Sequence, residues 1–327
     1  MSKDIDVIKE KTIEATIKSL SKKLGDGIIF SLDNIPEIKY FPTRLFTLNR
    51  ALNLGGMPIG RVVEIVKNEG CGKTTLALTL AADAQASGMT VAYLDLEMKV
   101  DAEYAKRLGV QTSNFVFSRP ANGDDAMFII DKLADQEGIG LIILDSVDLL
   151  TTYAELDKEI YESNVGMKAR LMSQALRRLI PKVARNQISL VFINQYRQVV
   201  GQMFGNPNKS TGGRGLQYGS SLKIELRDGK MIKDGDKPVG KKVHIKVTKN
   251  QVGSPYGETE LDLYFGDGFD RYSDLFDAAM KEGILDGGAW VKYKGENIAN
   301  GRDKCIELFK NNQEIYEKVL GDLKCTL

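Results

Sequence analysis

Short apolar runs and amphipathic stretches alternate along the chain. Arg61–Val66, Val91–Leu96, Leu141–Leu144 and Ser189–Ile193 are nearly unbroken apolar segments, the pattern of parallel strands buried on both faces. Between them, Thr74–Ser87, Asp124–Gln136 and Val165–Ala184 read as helices. This alternation predicts an α/β domain with a mainly parallel central sheet. Leu222–Leu226, Lys242–Lys249 and Glu258–Leu263 read as later strands, added antiparallel. At the start, Ile5, Ile8, Ile13, Ile17, Leu20 and Leu24 share one face of a helix over Lys3–Leu24. Gly25, Gly27 and a strand-like run, Ile28–Leu32, follow, and Pro36 and Pro42 mark a connector. From Asp270 onward the pattern is mostly helical and carries the only tryptophan, Trp290. The expected organisation is an N-terminal helix and strand (1–34), a core (35–269) and a small α/β C-terminal domain (270–327).

Composition narrows the class. With 43% hydrophobic and 27% charged residues in 327, the chain can bury a sizeable core and is not disordered. No run of 18 apolar residues exists, and the first 20 alternate charged with apolar residues, so neither a membrane span nor a secretory leader is expected. Cys71, Cys305 and Cys325 lack metal-ligand spacing and fit a reducing cytoplasm. His244 is the single histidine, which removes Ser-His-Asp chemistry and multi-histidine metal sites unless it serves itself; its strand-like setting reads as structural.

Net charge is only +1, but it is unevenly spread. Ser163–Ile224 holds no Asp or Glu, where the average density predicts about eight. The same stretch carries Lys168, Arg170, Arg177, Arg178, Lys182, Arg185, Arg197, Lys209, Arg214 and Lys223. Such a band is the footprint of a polyanion site; the competing reading is a solvated basic helix.

Strand Arg61–Val66 leads into Lys67-Asn68-Glu69-Gly70-Cys71-Gly72-Lys73-Thr74-Thr75 and then a helix. Strand, tight loop, Gly-Lys-Thr and helix form a phosphate cradle: amides face the phosphates, the lysine reaches the outer ones and the hydroxyl holds magnesium. Lys67 stands where the strict motif has a glycine, so it either adds charge or obstructs the turn. Open parallel sheets bind ligands at the carboxyl ends of their strands. There the sequence places Asp95 and Glu97, Asp145 and Ser146, and Asn194 and Gln195. With Lys73 and Thr74, these supply an ATPase: Asp145 for magnesium, Glu97 to activate water, Gln195 to sense the γ-phosphate.

Tyr196–Gly219 follows, glycine-rich and expected to be a functional loop without regular structure, with a plain surface insertion as the alternative. Its Arg197, Phe204, Lys209, Arg214 and Tyr218 suit phosphates and bases. Arg170, Ser173 and Arg177 share one face of the preceding helix, and Met172, Leu176, Leu179 and Val183 form an apolar face that reads as core.

These residues bring the sequence to a family. It resembles bacterial RecA recombinases over nearly its whole length, through Gly-Gly-Met-Pro-Ile-Gly-Arg (55–61), Asp145-Ser146-Val147, Met172-Ser173-Gln174-Ala175 and Phe192-Ile193-Asn194-Gln195. Met203-Phe204-Gly205-Asn206-Pro207 with Thr211-Gly212-Gly213 looks like the family's second DNA-binding loop. Gly288-Ala289-Trp290 and Tyr293-Lys294-Gly295-Glu296 look like its C-terminal domain.

The resemblance implies a RecA-like core using ATP and Mg2+. It implies a helical homo-oligomer on single-stranded DNA that pairs it with homologous double-stranded DNA and exchanges strands. It also allows a LexA-like repressor as a partner. The loop residues Lys67 to Thr75, with Asp101, Tyr104 beside the adenine, Asp145 and a neighbour-reaching Lys249, would bind nucleotide. Lys73, Glu97 and Gln195 would be catalytic, and Thr74 and Asp145 would hold magnesium. Glu155–Gly166 would be the first DNA-binding loop. Arg170, Ser173, Arg177, Arg197, Val200, Phe204, Lys209, Gly212, Gly213 and Arg214 would meet DNA. Ile28–Leu32 and the N-terminal helix would dock on the neighbouring subunit.

Three departures stand out: Lys67, Gln251 in place of the second lysine of the family's Lys-Asn-Lys, and no acidic tail before Leu327. They fit a divergent or phage-borne member. A filament protein with little hydrolysis, should Lys67 cripple the cradle, is the alternative; a ring helicase or phosphotransfer ATPase on the same core is a third reading.

Overall fold

The computed structural model describes residues 2–24, 29–67, 70, 72–157, 166–198 and 208–325. The chain divides into two compact units, Met1–Ile38 and Lys39–Leu327. In the first, α1 spans Ser2–Leu24. Ile28, with Gly25 and Gly27, falls outside the described residues. Of the expected strand over Ile28–Leu32, the described residues 29–32 show no strand pairing, and Leu32 opens a 3-10 turn, Leu32–Asn34; an extended segment needs a ladder partner to count as a strand.

The second unit opens with β1 (Tyr40–Phe41), α2 (Phe46–Leu52) and β2 (Met57–Pro58), where β1 and β2 pair antiparallel. The core follows as β3 (Val62–Lys67), α3 (Lys73–Ala86), β4 (Thr90–Asp95), α4 (Ala102–Arg107), β5 (Phe115–Ser118), α5 (Gly123–Leu133) and β6 (Ile139–Asp145). It continues through α6 (Tyr153–Leu156), α7 (Met167–Arg185), β7 (Ser189–Gln198), β8 (Asn208–Ser210) and α8 (Gly213–Gly219). β9 (Leu222–Asp234), β10 (Lys237–Asn250), β11 (Glu258–Tyr264) and β12 (Gly268–Phe269) complete the main sheet. Its order is β12-β11-β10-β9-β3-β7-β6-β4-β5, with β8 paired to β7.

From β9 to β5 the neighbours run parallel. Along this order antiparallel pairing begins at β10, and β8, off the order, pairs antiparallel with β7. β9 therefore joins β3 in parallel, not antiparallel as its late position suggested, because it returns through α8 and enters the sheet in the same direction as β3. The apolar runs are apolar throughout because both faces are covered. Val63, Ile65, Tyr93 and Ile143 pack with α3, while Val62, Leu94, Ile142, Leu144 and Phe192 pack with α5 and α7.

The remainder forms α9 (Arg271–Lys281), β13 (Leu285–Gly287), β14 (Trp290–Tyr293), β15 (Glu296–Asn300), α10 (Arg302–Asn311) and α11 (Gln313–Lys324). The three strands make a small antiparallel sheet where the sequence pattern read mainly as helix. Leu275, Val291, Phe309 and Val319 form its own core, which Phe46 of α2 enters. Among the described residues no helix is long and apolar enough to cross a membrane.

Candidate active site and nucleic-acid interface

The loop between β3 and α3 puts its left-handed turns on glycines. Gly70 and Gly72 both have φ +76°, and Gly72 caps α3. Lys67 remains in the strand ladder, opposite Gln195, so its side chain costs the loop no backbone strain. Of the two readings of Lys67, added charge or an obstructed turn, its place in the ladder speaks against the second. Its ammonium turns to Asp228, 2.6 Å away, and is almost wholly buried. Lys73, also buried, starts α3 with Thr74 and Thr75. The Thr75 and Tyr104 hydroxyls are 2.8 Å apart, and the Asp101 carboxylate caps α4 by accepting from the Tyr104 amide at 2.7 Å. These contacts hold the Tyr104 ring beside the start of α3.

At the strand ends, the Thr74 hydroxyl and the Tyr93 phenol each donate to Asp145 Oδ2 at 2.8 Å. Asp145 Oδ1 is buried and has no hydrogen-bond partner. Burial pushes the Asp145 carboxyl up, against these two donors. A buried carboxylate oxygen left open beside a threonine hydroxyl fits Mg2+, which takes one or two protein ligands and completes its shell with phosphates and water.

Glu97 Oε1 accepts from the Ser146 hydroxyl at 2.9 Å and from the Gln195 amide at 3.1 Å, while Lys99 meets Oε2 at 2.8 Å. Burial alone would raise the Glu97 carboxyl. The hydrogen bonds from Lys99 and Ser146 and the charges of Lys99 and Lys73 outweigh it and hold the group below its usual range. Glu97 is therefore an anion at neutral pH.

Beyond Gln195, β7 pairs with β8, so part of the segment expected to be structureless is a hairpin base followed by the α8 helix. Thr211 closes that base. Its hydroxyl reaches Asn194 Oδ1 at 2.5 Å and its carbonyl accepts from Asn194 Nδ2 at 2.9 Å. α8 lies against α7: a Cβ on Gly213 would come within 2.6 Å of the Ala169 Cβ, so glycine permits the approach. Gly213 thus sits against the helix that exposes Arg170 and Arg177, Gly212 sits beside Val147, and Ser173 donates to the Ala169 carbonyl.

Comparison with known proteins decides the family. A family model of the RecA N-terminal domain matches residues 11–270, and one of the RecA C-terminal domain matches residues 273–324. The chain is 38% identical over 317 residues to Protein RecA of Geobacter sulfurreducens, covering 96% of this chain and 94% of that one. It is 39% identical over 319 residues to Protein RecA of Thermus thermophilus, with the same coverages. The corresponding protein of Mannheimia haemolytica is 38% identical over 319 residues, 97% of this chain and 87% of its own. The chain belongs to the RecA family. Membership assigns it to DNA recombination and repair.

Within the chain, several residues of the sequence reading have partners of their own. The acid-free stretch is less electropositive in space than in sequence. Lys182 pairs with Asp131 and Asp135, Arg178 with Asp131, Lys223 with Glu64, and Arg197 with Asp148. Lys249 donates to the Ser220 carbonyl of its own chain at 2.5 Å and also reaches Gln217 and Tyr218. His244 meets Glu260 across β10 and β11. Asn68, Glu69, Cys71, Val200, Phe204 and residues 158–165 lie outside the described residues, and of Lys209 only the strand backbone is described. Sequence reasoning missed Tyr93, whose polar tip in a buried run was the available signal, and missed Asp148 and Asp228. Both of those hold cations far away in sequence and leave no local pattern.

Proposed function

We propose that this RecA-family protein is a DNA-dependent ATPase and strand-exchange recombinase. It assembles on single-stranded DNA as an ATP-dependent helical homo-oligomer, in the cytoplasm, and pairs that strand with homologous double-stranded DNA. The observation that carries the reading is the direct bond from Gln195 to Glu97, on a strand whose Asn194 also grips the base of the second loop at Thr211. Nucleotide chemistry and the DNA segment thereby share two adjacent residues.

Loop amides, Lys73 and the α3 N-terminus bind the phosphates of ATP, with Tyr104 and Asp101 toward the base. Thr74 and Asp145 hold Mg2+, which neutralises charge on the phosphates when bound. Glu97 accepts a proton from water as the water oxygen bonds to the γ-phosphorus. The bond from that phosphorus to the β–γ bridging oxygen breaks, and ADP and inorganic phosphate leave. Gln195 turns from Glu97 to the γ-phosphate, and the hairpin of β7 and β8 follows. Arg170, Ser173, Arg177, Gly212, Gly213, Arg197 and Arg214 contact DNA, joined by Val200, Phe204 and Lys209. Lys249 leaves its own carbonyls to reach a neighbour's ATP. A LexA-like repressor would bind the assembled filament.

The strand geometry of Lys67 favours this reading over a filament with little hydrolysis. The test is steady-state ATP hydrolysis with magnesium, with and without single-stranded DNA, beside Lys67→Gly. Strong DNA stimulation in the unaltered chain is expected. Turnover that appears only in Lys67→Gly would favour the non-hydrolysing filament, and silence in both would overturn the ATPase reading.

A further inference from the structure

Lys67 is not left as an intruding charge at the mouth of the phosphate loop. Asp228, on β9, accepts from it through Oδ2 at 2.6 Å and meets Lys241 of β10 through Oδ1 at 2.8 Å. Lys241 in turn donates to the carbonyl of Gly70 at 2.5 Å. The chain of contacts starts at the last residue of β3, crosses two strands and returns to the middle of the loop.

Gly70 needs that tether. It stands at φ +76°, and among the described residues no atom lies within 4 Å of a Cβ built on it. The charges also need a centre. Lys67, Lys73 and Lys241 repel one another around a loop that must receive a polyphosphate, and Lys67 is nearly out of water. A buried ammonium that lost its carboxylate would turn to another acceptor or give up its proton, and a Lys67 side chain swung toward the loop would crowd the space the phosphates take.

We propose that Asp228 is a positioning residue of the nucleotide site: it keeps the Lys67 ammonium out of the phosphate cradle and, through Lys241, fastens the loop by the Gly70 carbonyl. The proposal rests on the reading of that loop as an ATP site. It explains why lysine is compatible with a position where the motif has glycine. Asp228 and Lys67 then form a coupled pair: the aspartate matters because the lysine is there.

The experiment is a double-mutant cycle on the full chain, with a fluorescent ATP analogue for affinity, steady-state hydrolysis on single-stranded DNA, and thermal unfolding. Asp228→Asn should raise KM for ATP about tenfold, about 1.4 kcal/mol, with kcat at saturation changed less than about threefold. In a Lys67→Gly background the same Asp228→Asn change should cost about threefold or less, because only the Lys241 tether is then lost. Should Asp228→Asn fail to fold, Lys241→Met tests the Gly70 tether and should also raise KM. Equal KM losses from Asp228→Asn in both backgrounds, or a lower Tm with unchanged KM, would overturn the proposal while leaving the ATP site in place. An unaltered chain that binds no ATP analogue would overturn the site reading and this proposal with it.

Discussion

The Gln195 side chain donates to Glu97 at 3.1 Å, joining the end of β7 to the residues that follow β4. Strand β6 lies between those two strands, so the contact passes over the end of Asp145-Ser146, and Ser146 shares the same Glu97 oxygen. One carboxylate oxygen therefore gathers the ends of three parallel strands.

Glu97→Gln keeps the shape and an acceptor oxygen but removes the base. ATP turnover should fall at least about a hundredfold, the scale of a lost general base, while ATP-dependent binding to single-stranded DNA persists. Hydrolysis and fluorescence-anisotropy binding on the same preparation check this. Loss of both together would contradict the assignment of Glu97 to the chemical step.

The basic helix divides into cations with different tasks. Arg170 and Arg177 are exposed, whereas Lys182 is largely covered and held by Asp131 and Asp135. Removing Arg170 and Arg177 together should weaken DNA binding and flatten its salt dependence, by a slope of about 0.7 per lost contact on single strands. Lys182→Ala should leave that slope unchanged and lower stability instead. Affinity measured across a salt series separates the two classes.

Arg197 is engaged within its own chain by Asp148, a nearly buried carboxylate whose backbone carbonyl also accepts from Lys168. DNA must compete with that carboxylate for the guanidinium. Asp148→Ala should strengthen binding to single-stranded DNA and steepen its salt slope by up to about 0.7, one further phosphate contact. Unchanged affinity in a folded variant would show that Arg197 meets no phosphate.

The parallel core was legible because burial on both faces leaves mostly apolar residues in β3, β4, β6 and β7. The strand, glycine turns and helix around Lys73 and Thr74 were legible because their signal is local. What stayed hidden was long-range pairing. Nothing near Lys67 in sequence announces Asp228, 161 positions away. The pairing of Lys182 with α5 likewise depends on how two helices cross one sheet face. The direction of β9 was missed because an antiparallel and a parallel entry have the same apolar pattern; the connecting path through α8 decides it. The α/β character of the C-terminal domain was expected, but its individual strands were not marked out, because they are only three to five residues long and expose Trp290.

Asp274 offers a pH test of how the C-terminal segment is fastened to the core. Fully buried on α9, its carboxylate accepts from the Phe46 amide at 2.5 Å, from the Thr47 amide at 3.2 Å and from the Thr47 hydroxyl. It thus satisfies the first amides of α2 from a distant segment, where α2 lacks a capping side chain of its own at Leu45. Burial pushes the carboxyl up to about 7 from 3.8, against these three donors. Between those values the folded chain keeps a proton that the unfolded chain has released. Stability from this group is therefore present at low pH and falls as pH rises from about 4 to about 7, by at most about 1.4 kcal/mol per pH unit. Asp274→Asn, which cannot titrate, should lose less stability between pH 5 and pH 7 than the unaltered chain, in urea unfolding at both values. It should also be less stable at pH 5, by about 1–3 kcal/mol, because an amide replaces one acceptor oxygen with a donor facing donors. A variant that loses as much stability over that window as the unaltered chain would show that Asp274 titrates alike in the folded and unfolded states.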